Sequence, residues 1–234
     1  MSPADRSTVT PLRRPGDTEP PAPRYLVVEG PIGVGKTSLA RRLAQTFGSE
    51  LMLEETEDNP FLQRFYRTGR AAALPTQLHF LFQRARQLES LRQDDLFRPA
   101  LVADFLLEKD RLFAELNLDR EELSLYEQIF EKLDIDAPTP DLVVYLQAPV
   151  EVLMERIARR GLEYERDMDP AYLERLAEAY ARFFHDYAEA PLLIVNAAGI
   201  DPVHNDDDFR LLCEQIRRTG SGRHFFNPNP VAFA

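Results

Sequence analysis

Residues Gly30-Pro31-Ile32-Gly33-Val34-Gly35-Lys36-Thr37 fit the spacing G-x-x-x-x-G-K-[ST]. Glycines at these places let the backbone turn several N–H groups inward around an anion. The preceding run, Tyr25 to Glu29 (YLVVE), is apolar and of strand type. Lys36 to Phe47 carries Leu39, Leu43 and Phe47 at helical spacing. A helix starting at the loop adds the positive end of its dipole. The chemistry that fits is the cradling of a nucleoside triphosphate. Gly30, Gly33, Val34, Gly35 and Ser38 would form the cradle, Lys36 would reach the β- and γ-phosphates, and Thr37 would ligate Mg²⁺. An ordinary glycine-rich turn is the plain alternative, but motif and strand–loop–helix context coincide. The loop does not name the acceptor of the phosphate.

Other residues bear on that acceptor. A third strand candidate, Ala100 to Asp104, ends in one carboxylate, Asp104. It could help hold Mg²⁺ beside Thr37, or it could cap a helix. A second strand candidate, Glu50 to Glu54, runs into Glu54-Glu55-Thr56-Glu57-Asp58. A carboxylate there, expected beside the phosphate loop across neighbouring strands, could take the proton of an attacking hydroxyl. Taken alone, the cluster reads more readily as a solvated loop. Arg156 and Arg160 are four apart and share a helix face. They suit a lid over a phosphoryl group, or simply a cationic helix end. The guanine-reading sequence N-K-x-D is absent, which argues against a GTPase. The short chain and single strand-end carboxylate argue against a motor or AAA-type ATPase.

The elements that must position these groups alternate. Further strand candidates are Asp141 to Leu146 and Leu192 to Val195. Further helical segments are Thr76 to Arg92, one or two within Leu106 to Leu133, Val150 to Arg160, Pro170 to Tyr187 and Asp206 to Arg217. In the long helix Tyr172, Leu176, Tyr180, Phe183 and Tyr187 are expected inward. This order predicts an α/β, three-layer P-loop NTPase-type fold. It would have about five parallel strands, flanking helices and an arginine-bearing helical lid. Ligands bind at the carboxyl ends of such strands. Residues 1–23, with six prolines, are expected to be disordered. The folded domain is expected over 24–218, followed by an irregular tail, 219–234, whose Phe225, Phe226 and Phe233 could dock or stay loose.

Composition narrows the partners. The 234 residues hold 28 basic and 39 acidic side chains, a net charge of −11. Such a surface repels phosphate backbones and anionic membranes, so neither nucleic acid nor membrane is expected as a partner. No apolar run approaches the roughly 18 residues of a membrane span, and the N-terminus lacks a signal-like stretch. The one cysteine, Cys213, makes no internal disulfide, and a reducing cytoplasm is the simplest compartment. The lysines are three, Lys36, Lys109 and Lys132.

In order along the chain come the phosphate loop, E-x-x-E-D-N-P-F (Glu54 to Phe61), Phe65-Tyr66, Q-L-H-F-L-F-Q-R (Gln77 to Arg84), D-F-L-L-E-K-D-R-L-F-A (Asp104 to Ala114) and R-I-A-R-R-G-L-E-Y-E (Arg156 to Glu165). From about Tyr25 to Val195 this series resembles the deoxynucleoside kinase family, especially its bacterial deoxyadenosine/deoxyguanosine kinase-like branch. The resemblance implies transfer of the ATP γ-phosphate to the 5′-hydroxyl of a deoxynucleoside, with purines and deoxyadenosine favoured, Mg²⁺ as cofactor, and a homodimer built through helices after the second and third strands. It implies that Glu54 is the general base, with Glu55 a competing candidate. It places Tyr66 and Glu165 on the sugar 3′-hydroxyl, Gln77 on the base through paired hydrogen bonds, and Arg84 with Asp110 at the base edge. Gln77 and Arg84 lie two turns apart on one helix face. Phe82 and Phe113 are candidate walls around the base, although core packing explains either one alone. Arg156 and Arg160 would close over ATP.

The pattern also departs from the family. Many members carry Asp/Glu-Arg-Ser where this chain has Asp104-Phe105-Leu106. Lys109, one helical turn after Phe105, is expected to supply the missing positive charge. Leu162 and Tyr164 stand where many members have a further arginine and a second glutamate. Two rivals remain. One is another small-molecule or nucleoside monophosphate kinase of the same fold, which would need more cations for an acceptor phosphate. The other is an ATP-binding regulatory protein without catalysis.

Overall fold

The computed structural model describes residues 20–91, 99–166 and 168–228. Fully apolar runs become the centre of the sheet, because parallel strands are covered on both faces. β1 (Tyr25–Glu29) and β4 (Leu142–Gln147) are of this kind, and they pair with Val27 opposite Val143. β3 (Leu101–Ala103) lies on the other side of β1, β2 (Glu50–Met52) beyond it, and β5 (Leu192–Asn196) beyond β4.

The sheet holds six strands rather than about five. β6 (Arg223–Phe226) adds parallel to β5, Leu192 opposite Arg223, giving the order β2-β3-β1-β4-β5-β6. It falls in the segment expected to be irregular. Its burial alternates, with Arg223 and Phe225 facing outward and His224 and Phe226 half-buried, but the residue types Arg-His-Phe-Phe do not. Residues 1–19, and 229–234 with Phe233, lie outside the described residues, as does Arg92 at the end of its expected helix.

The helices flank this sheet. α1 (Lys36–Phe47) buries Leu39, Ala40, Leu43 and Ala44 and ends at Gly48, whose φ of 64° closes the last turn. The segment after β2 contains α2 (Leu62–Thr68), a helix not among the elements expected from the sequence. α3 (Ala73–Leu91) follows, and α4 (Lys109–Asn117) and α5 (Arg120–Leu133) come after β3. α6 (Val150–Arg160) ends at Gly161 in a left-handed conformation. α7 (Pro170–Asp186) starts with the Asp169 carboxylate accepting from the Ala171 N–H and with proline in the first turn. Its buried stripe is Leu173, Leu176, Tyr180 and Phe184. Tyr172 and Phe183, expected inward, lie on the flanks and are only partly buried. α8 (Asp206–Arg218) buries Cys213. Among the described residues no helix is long and apolar enough to cross a membrane.

Candidate active site

The phosphate loop closes because glycine occupies its two tightest places. Gly30 has φ 149°, and a Cβ there would fall on the Leu146 carbonyl oxygen. Gly33 has φ 84°, and a Cβ would meet the Leu153 oxygen and an Ile157 methylene at 2.8 Å. Lys36 Nζ folds over the loop and donates to the Gly30 oxygen at 2.7 Å. Burial lowers the Lys36 ammonium pKa, Lys109 lowers it further, and nearby carboxylates oppose both.

Two cavities meet at this loop. The first, 510 Å³, lies over the ends of β1, β2 and β3 and reaches Lys36 and Thr37. The second, 310 Å³, is lined by Gly33, Val34, Gly35, Lys36, Thr37 and Ser38 and by Arg156 and Arg160. Gly30 lines neither. Its N–H points instead to the Glu29 carboxylate at 2.7 Å, a correction to its expected place in the cradle.

The first cavity gathers most of the expected acceptor-side residues: Glu54, Tyr66, Gln77, Arg84, Phe113 and Glu165 line it, while Asp110 is fully buried and lines neither cavity. Glu54 does not reach the loop from a neighbouring strand, because β3 intervenes between β2 and β1. It reaches the site because the chain turns after β2, where the Glu54 N–H donates to Asp104 Oδ1 at 2.7 Å. Its side chain accepts from Arg84 Nε at 2.9 Å and lies 3.3 Å from Lys109 Nζ. Burial alone would raise the Glu54 carboxyl, but Arg84 and Lys109 outweigh it and hold the pKa at about 2. Glu55 also lines the first cavity, but its carboxylate is held by other partners: Gln83 Nε2 donates to it at 2.9 Å and Gln87 Nε2 at 3.4 Å.

Arg84 also pairs with Asp110, so one buried guanidinium joins two carboxylates. Burial pulls its pKa down, but those carboxylates outweigh the effect and keep it charged. Asp110 accepts from Gln77 Nε2 at 2.5 Å and from the Tyr126 hydroxyl at 2.7 Å. The expected Arg84–Asp110 pair is therefore present, with Gln77 fixed on the same carboxylate. Lys109 is 2% exposed and sits 3.2 Å from Glu29, itself fully buried. Burial lowers the Lys109 ammonium, but Glu29 and Glu54 outweigh it and raise the pKa. Phe105, in the place of the missing arginine, is buried in the core.

Tyr66 of α2 and Glu165 both line the first cavity. Burial, then Tyr172 and Glu165, push the Tyr66 hydroxyl well above its usual range, so it stays a proton donor. Tyr66 stacks on Tyr164, ring centroids 5.8 Å apart. Arg160 grips Glu165 with two hydrogen bonds, at 3.0 and 2.5 Å. Arg156 donates to the Val34 oxygen at 3.0 Å and the Ala197 oxygen at 2.7 Å, bracing the phosphate loop against the chain after β5. Thr37 Oγ1 donates to Asp104 Oδ2 at 2.5 Å. A hydroxyl and a carboxylate meeting beside a phosphate loop are the hard oxygen donors that suit Mg²⁺, which takes few protein ligands besides phosphate and water.

One wall residue is corrected. Phe113 lines the cavity, but Phe82 is 44% exposed and absent from it. Phe80 takes its place, with the Arg84 guanidinium 5.2 Å from its ring centre. At 100° per residue, positions 77, 80 and 84 share a face and 82 lies nearly opposite. The spacing that joined Gln77 to Arg84 would have found Phe80. Glu29 was missed because its role depends on what α4 and α7 bring against it.

The family model for deoxynucleoside kinase matches residues 26–219. The deoxyguanosine kinase of Bacillus subtilis (strain 168) is 33% identical over 198 residues, covering 82% of this chain and 96% of that protein. The deoxyadenosine kinase of Lactobacillus acidophilus is 28% identical over 216 residues, covering 85% and 99%. A solved structure of deoxyadenosine kinase from M. mycoides with bound dATP shares the fold, with a TM-score of 0.71 at 22% identity, covering 82% of this chain and 98% of that one. With the matched region spanning both cavities and all the residues around them, the chain belongs to the deoxynucleoside kinase family.

Proposed function

We propose that this kinase moves the γ-phosphate of ATP to the 5′-hydroxyl of purine deoxynucleosides, deoxyadenosine among them, as a cytoplasmic salvage enzyme. The observation that carries the reading is the placing of Glu54. It lies in a cavity that Gln77 and Arg84 also line, with Asp110 buried behind them, and that opens onto the phosphate loop. The purine class rests on relatives named as deoxyguanosine and deoxyadenosine kinases.

In this reading the triphosphate lies along Gly33, Val34, Gly35 and Ser38, with Lys36 at its outer phosphates. Gln77, whose Nε2 donates to the Asp110 backbone oxygen and carboxylate, offers its carboxamide oxygen to the base edge, Phe80 and Phe113 flank the base, and Tyr66 with Glu165 holds the 3′-hydroxyl. The 5′-oxygen attacks the γ-phosphorus, the bond to the bridging oxygen breaks, and ADP leaves with that electron pair. Glu54 takes the hydroxyl proton. A carboxylate held near pKa 2 is a weak base, so its main task is to orient the nucleophile. That suffices for a loose transition state, where the proton leaves late. Lys109 keeps Glu54 in place and adds the positive charge absent at Phe105. Arg156 and Arg160 screen charge on the transferred group and exclude water. Thr37 and Asp104 would hold Mg²⁺, which neutralises phosphate charge.

A nucleoside monophosphate as acceptor would need further cations. Arg84 and Lys109 are each buried and engaged by carboxylates, which weakens that rival. ATP consumption measured with and without added deoxyadenosine tests the reading against a non-catalytic one. Consumption that depends on the nucleoside is expected; ATP binding with no consumption would reject catalysis.

A further inference from the structure

Glu29 ends the central strand, where Leu26, Val27 and Val28 before it are buried and apolar. An apolar side chain would fill that place without desolvating a charge. The carboxylate is fully buried and each oxygen meets two donors. Oε2 accepts from the Gly30 N–H at 2.7 Å and the Tyr180 hydroxyl at 3.1 Å. Oε1 accepts from the Leu106 N–H at 3.0 Å and lies 3.2 Å from Lys109 Nζ. A site surrounded by donors asks for an acceptor-only group, which a carboxylate is and a carboxamide is not. The Lys109 ammonium lies between two carboxylates, 3.2 Å from Glu29 and 3.3 Å from Glu54. Glu29 also grips Leu106, in the segment that leads from Asp104 to Lys109, and Gly30, the first residue of the phosphate loop. It is the point where the loop, that segment and the Lys109–Glu54 contact are joined.

We propose that Glu29 is a positioning residue for phosphoryl transfer: it fixes Lys109 against Glu54 and ties that contact to the start of the phosphate loop. The proposal rests on the reading of Glu54 and Lys109 given above. Without the Glu29 charge, Lys109 keeps one carboxylate partner and its distance to the reacting groups is no longer set by the strand. Because Glu29 stands behind Lys109, its loss acts on turnover more than on nucleoside binding.

The test is a double-mutant cycle on kcat with Glu29→Gln, Lys109→Met and the double variant, with nucleoside KM and thermal midpoint recorded for each. Each single change is expected to lower kcat at least tenfold with KM within threefold, and the double variant to fall no further than the worse single. Losses that multiply would show that Glu29 acts independently of Lys109 and would overturn the proposal, leaving the roles of Glu54 and Lys109 intact. An unchanged kcat in Glu29→Gln would overturn it equally. An unchanged kcat in Lys109→Met would overturn both the proposal and the reading beneath it. If Glu29→Gln does not fold, Glu29→Asp keeps the charge but draws it one methylene back from Lys109. The same cycle and criteria then apply.

Discussion

Glu54 is an acceptor held ready by two cations, and its neighbours differ in kind. Arg84 binds it through a planar fork while also holding Asp110; Lys109 approaches as a point charge. Glu54→Gln keeps the shape and removes the negative charge, so kcat is expected to fall roughly 100- to 10,000-fold. ATP binding should change little, which steady-state kinetics beside ATP titration would check. Because the folded-state pKa is depressed from 4.5 to about 2, the carboxylate stabilises the fold above the unfolded value. That contribution is lost as pH falls from about 4.5 towards 2. The stability gap between wild type and Glu54→Gln, followed by denaturant unfolding, should therefore be full at pH 6 and shrink below pH 4.5. A gap constant to pH 3 would contradict the assignment. At this scale the sequence was legible where residues are contiguous, as in the phosphate loop. It was not legible for Glu29 or for the sharing of Arg84 between Glu54 and Asp110, because those contacts join residues far apart in the chain.

α3 carries much of the acceptor side, and one face of it does so. Gln77, Phe80 and Arg84 look into the cavity, while Phe82 looks away. Phe80→Ala should raise the nucleoside KM about tenfold, in line with roughly 1.5 kcal/mol of lost aromatic contact. Phe82→Ala should leave it within twofold. Equal effects would mean that the helix is rotated from the orientation described here. The main helices could be read from apolar spacing because each hides one continuous face, and the central strands from apolar runs because both their faces are covered. α2 and β6 could not. The first has seven residues and a single buried one, Leu62, too little for a periodic signal. The second has four residues at the sheet edge, one of them the exposed Phe225.

The net charge of the chain is −11, and among the described residues five large hydrophobic side chains are exposed, Leu51, Phe82, Leu125, Leu211 and Phe225, of which two lie on helices that follow β2 and β3. Phe82 on α3 is 44% exposed and Leu125 on α5 is 46% exposed. These are the helices through which the family resemblance implies a homodimer. Sedimentation is expected to give about twice the chain mass of 26.9 kDa, and Phe82→Glu with Leu125→Glu to give the single mass. A monomeric wild type would reject the dimer without touching the chemistry. The fold class was legible because strands and helices alternate, but the strand order, with β3 between β1 and β2, was not. That order puts Asp104 beside the phosphate loop and brings Glu54 in from behind it. The central claim is transfer to a purine deoxynucleoside. Its most direct test is to incubate the purified protein with Mg²⁺-ATP and each of the four deoxynucleosides, then separate the products. The account predicts 5′-monophosphate from deoxyadenosine or deoxyguanosine, or both, in excess over the pyrimidines. Product confined to deoxycytidine or thymidine would contradict the base assignment, and no product from any of the four would contradict the proposed reaction itself.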